Sequence, residues 1–319
     1  MPEPGSAFSI GPVRFLHAAD FDYTEFGVAQ EGSETYFGNL FASMQERAAS
    51  WIAVVPVDRC EPERSGEVAD LTVDVALAAL QLAIPLELSA RASRITARTL
   101  PPYKGSVVVT SDTISPQVTN MQPGRGLGKD AFDAIVTAAG PLFSSAGTRI
   151  SSYLTGSGPL PELGLAWCDA AYWFHEAIAE PLDTVAVAKL ETSIENLFGA
   201  GNLKESTARL LQAIKGIFGL KGSDAISPGS AVKVKDFAVS IVTARSRILH
   251  GTWSTLSDEL PLGRGEVAAL AMTMLTVYTL MLDEYAKNPA AVDAAEPFLN
   301  FIEAQGSPPQ FPAGAATGP

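Results

Sequence analysis

The chain has 319 residues, enough for about two domains at roughly 150 residues each. Hydrophobic residues make up 47% and charged residues 18%, so the chain can bury a core, and disorder throughout is excluded. The formal net charge of −13 excludes a protein that coats nucleic acid through overall positive charge. Only two cysteines occur, which excludes a disulfide-rich scaffold and a zinc site built mainly from cysteine.

The chain carries no sequence signal for export or membrane insertion. Its N-terminus, MPEPGSAFSIGPVRF, lacks the basic start and apolar run of a secretion signal. No stretch reaches the roughly 18 uninterrupted apolar residues that cross a bilayer. We therefore expect a soluble, cytoplasmic protein without a membrane partner.

The first half of the chain mixes strand and helix patterns. Residues 50–58 and 105–112 are short and rich in valine, which predicts strands. Residues 68–84 and 128–140 have helical patterns that stop at proline or glycine. Residues 1–160 are therefore predicted to form an α+β domain, whose role would be sensory or regulatory.

The second half is predicted to be helical almost throughout. A segment rich in Gly, Pro and Ser, residues 154–164, is interpreted as a linker. Amphipathic helices with short connections then favour an all-α helical bundle over residues 165–303. Residues 304–319 are of low complexity and are predicted to form a disordered tail. The predicted helices are 165–180, 182–198, 203–218, 231–250, 265–287 and 292–303.

One arginine of the predicted helix 231–250 lies on its apolar side. On a projection of about 100° per residue, Arg245 falls about 80° from Phe237 and beside Ile241, whereas Arg247 falls on the polar side. An unpaired cation on a packed face is costly, so Arg245 needs a carboxylate, an anion or a functional cleft. An ion pair with a helix carboxylate such as Glu191 would satisfy it without any function.

A histidine ends the same helix. His250 directly precedes Gly251, and glycine is a common helix stop. A histidine there can simply interact with the partial negative charge of the helix end. Histidine also exchanges protons near neutral pH, which makes His250 a candidate for acid–base chemistry.

The string Arg245-Ser246-Arg247-Ile248-Leu249-His250-Gly251 resembles the HEPN superfamily, whose signature is Arg-x(4–6)-His. It is most similar to the Apea-like branch, in which RS-x-x-x-HG is typical. Features upstream agree with this resemblance, which covers roughly residues 165–303. They are Trp173-Phe174-His175, Leu190-Glu191, Leu197-Phe198 and the helix around Ala208-Arg209-Leu210-Leu211.

The resemblance implies an all-α HEPN-type bundle that acts as a metal-independent endoribonuclease, often a toxin or an antiviral-defence effector. It implies an RNA substrate, no cofactor, no metal, and a homodimer through the C-terminal bundle whose two motifs line one cleft. The catalytic residues would be Arg245 and His250, supported by Ser246, Arg247 and Glu191. Attack by the ribose 2′-OH would give a 2′,3′-cyclic phosphate and a 5′-OH, and DNA would resist cleavage.

The residue types suit this reaction. Histidine transfers protons, and the guanidinium of arginine donates to the non-bridging oxygens of a phosphate. Residues five apart lie about 140° apart on a helix, so Arg245 and His250 do not converge directly. Either the helix loosens before Gly251 or a partner subunit completes each site.

Two other functions remain open. The bundle could be a non-catalytic HEPN module for dimerisation or for binding RNA or a nucleotide. The first half could instead carry the activity, although Asp70, Asp74 and Asp112 form no recognisable catalytic spacing. An antitoxin or an activating ligand would act at the N-terminal domain.

The charges near the motif are mostly basic. Between residues 204 and 247 there are eight basic residues and three acidic ones, which predicts either a basic zone for RNA or a scatter of solvated charges.

Overall fold

The computed structural model describes residues 6–26, 33–47, 49–58, 60–90, 92–94, 103–120, 127–227, 230–253 and 263–305. Within these ranges the protein is mostly helical, with a small antiparallel sheet near the N-terminus. This confirms the expected order of an α+β region followed by helices.

The N-terminal sheet has three antiparallel strands. Strands β1 (Phe8–Ile10), β2 (Val13–His17) and β3 (Trp51–Val54) lie in that order, with Phe15 facing Phe8 and Ala53. The β1–β2 turn contains Gly11 at a φ of +57°. A Cβ on Gly11 would lie 2.5 Å from the Cα of Gly147, so only glycine lets this turn pack there.

The N-terminal region also contains five helices and a hairpin. Helix α1 is largely exposed, and strands β4 (Tyr103–Val109) and β5 (Ile114–Asn120) form an antiparallel hairpin with exposed apolar side chains. The helices are α1 (Ser33–Glu46), α2 (Pro62–Ala83), α3 (Leu86–Ser89), α4 (Lys129–Ala138) and α5 (Gly140–Thr155). The predicted helices 68–84 and 128–140 correspond to α2 and α4.

Gly140-Pro141 ends one helix, as expected, but it also begins a helix that was not predicted. Helix α4 ends at Ala138 and α5 begins at Gly140, because proline is well tolerated in the first helical turn. The expected linker 154–164 is short, since α5 continues to Thr155 and the next helix begins at Pro161. Residues 156–160 therefore form a brief turn between two packed helices.

The C-terminal helices match their predictions closely. The structure has α6 (Pro161–Ile178), α7 (Asp183–Phe198), α8 (Leu203–Phe218), α9 (Val234–Leu249), α10 (Arg264–Ala286) and α11 (Ala295–Gln305). Helix α10 packs against α5, α6 and α7, and α9 packs against α7 and α8. Helix α11 includes the first residues of the predicted tail, and residues 306–319 lie outside the described ranges.

Most of the buried hydrophobic side chains among the described residues form one cluster. It extends from Ile10 to Ile302 and contains residues of α2 and α5 as well as of the C-terminal helices. Trp167, Phe174 and Tyr278 are completely buried in it. Side chains from both sides of residue 160 belong to this cluster. The division into a domain of residues 1–160 and a bundle of residues 165–303 stays a prediction.

Helix α10 is long and apolar enough to cross a membrane by length and composition. However, 56% of its apolar window is buried inside the protein. Its side chains Met274, Leu275 and Tyr278 are packed among the other helices. Helix α10 is therefore packed among the other helices of the bundle.

Candidate functional site at the end of helix α9

Helix α9 has a packed side and an exposed side, as its sequence pattern predicts. Phe237, Ile241, Ala244 and Ile248 are buried against the neighbouring helices. The opposite side is exposed or half-buried. It includes Asp236, Val239, Ser240, Thr243, Ser246, Arg247 and His250.

The C-terminal end of α9 is fixed by backbone hydrogen bonds. Gly251 has a φ of +68°, a conformation that favours glycine. Its N–H donates to the carbonyl of Ile248 at 3.1 Å, and the N–H of Thr252 donates to the carbonyl of Arg247 at 2.9 Å. This pair of bonds is the Schellman motif, and it confirms that Gly251 ends the helix.

Arg245 points into the bundle, where two carboxylates of α7 hold it. Its Nε lies 3.1 Å from Oε2 of Glu191, and its Nη1 donates to Oε2 of Glu195. Glu195 also accepts a hydrogen bond of 2.5 Å from the hydroxyl of Ser206. The predicted partner Glu191 is thus in place, and the arginine joins α9 to α7.

The contact between Arg245 and Glu191 is an ion pair without a well-directed hydrogen bond. Nε of Arg245 and Oε2 of Glu191 are both buried and have no hydrogen-bond partner among the described residues. Burial raises the pKa of Glu191 to about 7, and the nearby charge of Arg245 offsets only part of that increase. Near neutral pH this carboxyl group therefore exchanges readily between its charged and neutral forms.

Arg245 keeps part of its hydrogen-bonding capacity. The described contacts use Nε and Nη1 and leave Nη2 without a partner among the described residues. The side chain is 29% exposed, so solvent reaches it. A guanidinium has five N–H donors, and two carboxylates do not use all of them.

His250 and Arg247 lie together on the exposed side of the helix end. The guanidinium of Arg247 lies over the ring of Trp253, 5.3 Å from the ring centroid. His250 follows Arg247 by three positions, so both residues lie on one side of the last turn. Ser246, also expected near the site, is half-buried, and its carbonyl accepts the backbone N–H of His250 at 3.0 Å.

Within one chain the two expected catalytic residues are on different sides of α9. The helix is regular up to Leu249, so Arg245 and His250 keep the angular separation of about 140° expected for their spacing. Arg247 is the arginine that shares a side with His250. The structure brings Arg245 to Glu191 and Glu195, and it leaves His250 exposed on the side of α9 that carries Arg247.

Two residues of this region were missed in the sequence. Glu195 follows Glu191 by four residues and therefore lies on the same face of α7, a spacing that the sequence displays. Trp253 lies beyond the helix stop, where no helical periodicity predicts its position.

The basic residues between 204 and 247 do not form one uniform patch. Arg209 pairs with Glu205 and Lys215 with Glu303, while Arg245 is held by α7. By contrast, no ion pair joins Lys221, Lys233 or Lys235 to a residue that the structure describes. Part of the predicted basic zone is therefore neutralised and part is not.

Of the three carboxylates of the first half considered above, Asp70 and Asp74 share Arg94, whereas Asp112 lies apart from them in a hairpin turn. Asp112 lies in the turn of the β4–β5 hairpin, whereas Asp74 is buried on α2. Oδ1 of Asp74 lies 3.5 Å from Nε2 of His175 and 2.6 Å from Nε of Arg94, and Asp70 also contacts Arg94. His175 is thus a packed histidine of the interior.

We compared the chain with family models, with curated proteins and with solved structures, and none of the three comparisons finds a match.

Proposed function

We propose that this protein is a metal-independent endoribonuclease of the HEPN type, similar to the Apea-like branch. The observation that supports this most is the exposed imidazole of His250 at a helix end that backbone hydrogen bonds fix, on the side of α9 that also carries Arg247. His250 would transfer protons to and from the ribose 2′-OH and the 5′-oxygen. Arg245 would donate from Nη2 to a non-bridging phosphate oxygen, yielding a 2′,3′-cyclic phosphate and a 5′-OH.

The proposed active site is shared between two chains. Arg245 and His250 are on different sides of α9, so one chain does not bring both to the same phosphate. In a homodimer formed through the C-terminal bundle, His250 of one chain would meet Arg245 of the other. Glu191, Ser246 and Arg247 would support the site, with Glu191 holding Arg245 in position.

Such an enzyme would act as a toxin or as an antiviral-defence effector in the cytoplasm. Uncontrolled cleavage of RNA would harm the cell that makes it, so its activity would need a control. We assign that control to residues 1–160, acting as a sensor or as the binding site of an antitoxin or activating ligand.

The first test is cleavage of tRNA and total RNA by the purified full chain, with and without EDTA. His250→Ala should lower cleavage on the order of 10²–10⁴-fold. Because His250 is exposed, this variant should fold normally. His17→Ala, which removes a half-buried histidine of β2 far from α9 in sequence, is the second-histidine control. EDTA should have no effect, and DNA of the same sequence should remain intact. Full cleavage by His250→Ala would contradict the assignment.

The arginine needs a more careful variant. Arg245→Ala leaves Glu191 and Glu195 without their partner and risks unfolding. Arg245→Lys retains the positive charge but loses the planar fork, so it should fold and still lose most of the cleavage activity. Arg64→Lys, at an exposed site on α2, is the matched control.

Complementation tests whether the site is shared. Arg245→Lys and His250→Ala chains, each inactive alone, are co-expressed with different tags and purified as mixed dimers. A shared site combines the intact Arg245 of one chain with the intact His250 of the other, so about half of the wild-type activity should return. A mixed dimer that remains inactive would show that each chain needs both residues.

A second candidate function is a non-catalytic HEPN module that binds RNA or a nucleotide, or that mediates dimerisation. The observation that favours it is the hold of Glu191 and Glu195 on Arg245, which gives the arginine a structural role. In that case the protein would bind RNA or dimerise without turnover, and a defined RNA would be recovered intact after incubation.

A further inference from the structure

Three lysines lie where the loop after α8 folds onto the beginning of α9, and none of them pairs with a carboxylate of the described residues. The N–H of Lys235 donates to the carbonyl of Gly222 at 3.0 Å, and the N–H of Val234 donates to that of Asp224 at 2.9 Å. Ala225 and Lys233 form an isolated antiparallel bridge. These bonds hold the loop backbone of residues 222–225 against residues 233–235, and Lys221 directly precedes this contact.

The three lysines flank this backbone contact, and their side chains are exposed. A Cβ on Gly222, the residue after Lys221, would lie 3.5 Å from the Cβ of Lys235. All three lysines are exposed, and none forms an ion pair with a described residue. The nearest acidic residue of the loop, Asp224, is bonded to the backbone N–H of Lys221 at 2.7 Å.

The cluster borders a groove and lies on the same side of α9 as His250. Lys221 and Gly222 line an open groove of about 450 Å³ between α8 and α11. On the helical projection, Lys235 falls about 60° from His250, so both belong to the exposed side of α9. Between them on this side lie the exposed Val239, the half-buried Thr243 and Ser246, and one exposed acidic residue, Asp236.

The distance between the cluster and His250 suits a nucleic-acid strand. Fifteen residues separate Lys235 from His250, which corresponds to roughly 22 Å along the helix. Each nucleotide of a stacked strand adds about 3.4 Å along the axis of the strand, so roughly six or seven nucleotides cover this distance. That length lies within the roughly 4–16 nucleotides that single-stranded binding sites occupy.

We propose that Lys221, Lys233 and Lys235 bind the phosphates of an RNA strand that runs along the exposed side of α9 to His250. This inference rests on the proposed ribonuclease function and adds to it a preference for substrate length. In a protein with a net charge of −13, an unpaired basic cluster at this position directs a polyanion to one surface. The lysines contact phosphates alone, so they add affinity without sequence preference.

The test replaces all three lysines by glutamate in the full chain. Binding and cleavage of a 12-nucleotide single-stranded RNA are compared with cleavage of a dinucleotide, which is too short to reach both ends of α9. Affinity for the 12-mer should fall at least tenfold. The slope of log K against log salt concentration should become shallower by about 2, since three phosphate contacts are lost. The ratio of kcat/KM for the 12-mer to that for the dinucleotide should fall at least tenfold, mainly through KM.

A control with the same change in net charge separates local from global effects. Arg14, Arg64 and Lys287 are exposed and distant in sequence from α9, and their replacement by glutamate should leave the length preference unchanged. Equal losses in both triple variants would overturn the lysine cluster. So would a lysine variant that binds and cleaves the 12-mer as the wild type does, and the ribonuclease proposal would then still stand.

The two proposals fail in different ways. If the wild type binds the 12-mer through these lysines but cleaves no RNA, the strand-binding surface is supported and the ribonuclease function is overturned. If the wild type neither binds nor cleaves RNA, both are overturned. His250→Ala completes the comparison, because it should bind the 12-mer with the full salt dependence and fail to cleave it.

Discussion

Two buried clusters, each containing an arginine and acidic side chains, join helices in different parts of this protein. In the first, Asp74 of α2 meets Arg94 and His175 of α6. In the second, Glu191 and Glu195 of α7 meet Arg245 of α9. The residue types are alike, but the hydrogen-bond geometry differs.

In the first cluster the buried polar groups have well-directed hydrogen bonds. Arg94 donates from Nε and Nη2 to the two oxygens of Asp74, at 2.6 and 2.8 Å. The other nitrogen of the His175 ring, Nδ1, lies 3.2 Å from Oε1 of Gln81. Burial alone would raise the pKa of Asp74, but the hydrogen bonds from Arg94 and His175 outweigh it and hold that pKa below its usual value.

In the second cluster some buried polar groups have no directed hydrogen bond from a described residue. Glu191 is 2% exposed and one of its oxygens receives no directed hydrogen bond, so its pKa is raised. The comparison shows that burial beside an arginine does not decide the charge of a carboxyl group. That charge depends on whether N–H groups point at the carboxyl oxygens. They do so in the first cluster, which is therefore structural, and they do so incompletely in the second, whose carboxyl group can change its charge.

The largest expected effect is at Asp74. Asp74→Ala leaves Arg94 and His175 without their shared partner in the interior, and such a loss costs about 3–5 kcal/mol. The matched control is Asp70→Ala, because Asp70 also contacts Arg94 but is 62% exposed, and the loss of such a pair costs about 0–1 kcal/mol. Urea denaturation at pH 7 measures both. Equal losses for the two variants would show that burial of the pair contributes nothing.

The lowered pKa of Asp74 also gives a pH dependence. A carboxyl group with a lowered pKa in the folded state stabilises the fold above its ordinary value of 3.8, and this stabilisation is lost as the pH falls through its folded-state pKa. The wild type should therefore lose stability below about pH 4 more steeply than Asp74→Asn does.

Glu191 should behave in the opposite way. Its pKa rises from 4.5 in the unfolded chain to about 7 in the folded protein, so wild-type stability decreases as the pH rises from 4.5 to 7. Glu191→Gln carries no charge and should be more stable than the wild type at pH 8, by up to about 3 kcal/mol, and similar to it at pH 4.5. Denaturation curves at both pH values measure this difference.

Glu284→Gln is the control for Glu191→Gln. Glu284→Gln changes an exposed ion pair with Lys287 and should show no such difference between the two pH values. A Glu191→Gln protein that is less stable than the wild type at pH 8 would show that the ion pair with Arg245 outweighs the cost of burial.

The sequence predicts the local parts of this picture better than the distant contacts. Helical periodicity located α7 to α11, because their apolar stripes repeat along the chain. The same periodicity placed Arg245 on the packed side of α9, and the cost of an unpaired cation predicted a carboxylate such as Glu191. Gly251 predicted the helix end through its tolerance of positive φ.

The missed features depend on contacts between distant parts of the chain. Asp74 and His175 are about one hundred residues apart in sequence, and only the packing of α2 on α6 brings them together. Helix α5 was missed because Gly140-Pro141 was taken as a stop, although proline also begins helices. The resemblance to HEPN proteins and the role of His250 remain predictions that the cleavage experiments test.

The smallest expected effect is at Arg247, two residues from Arg245 and on the other side of α9. Its guanidinium stacks on Trp253 at an exposed site, where such a contact contributes about 0.5–1 kcal/mol. Arg247→Ala should therefore lose less stability than Arg245→Ala, which leaves two carboxylates unpaired. Urea denaturation and tryptophan fluorescence measure both variants. If Arg247→Ala keeps its fold but loses RNA cleavage as fully as His250→Ala does, then Arg247 is the arginine that contacts the phosphate, and Arg245 serves to hold α9 on α7.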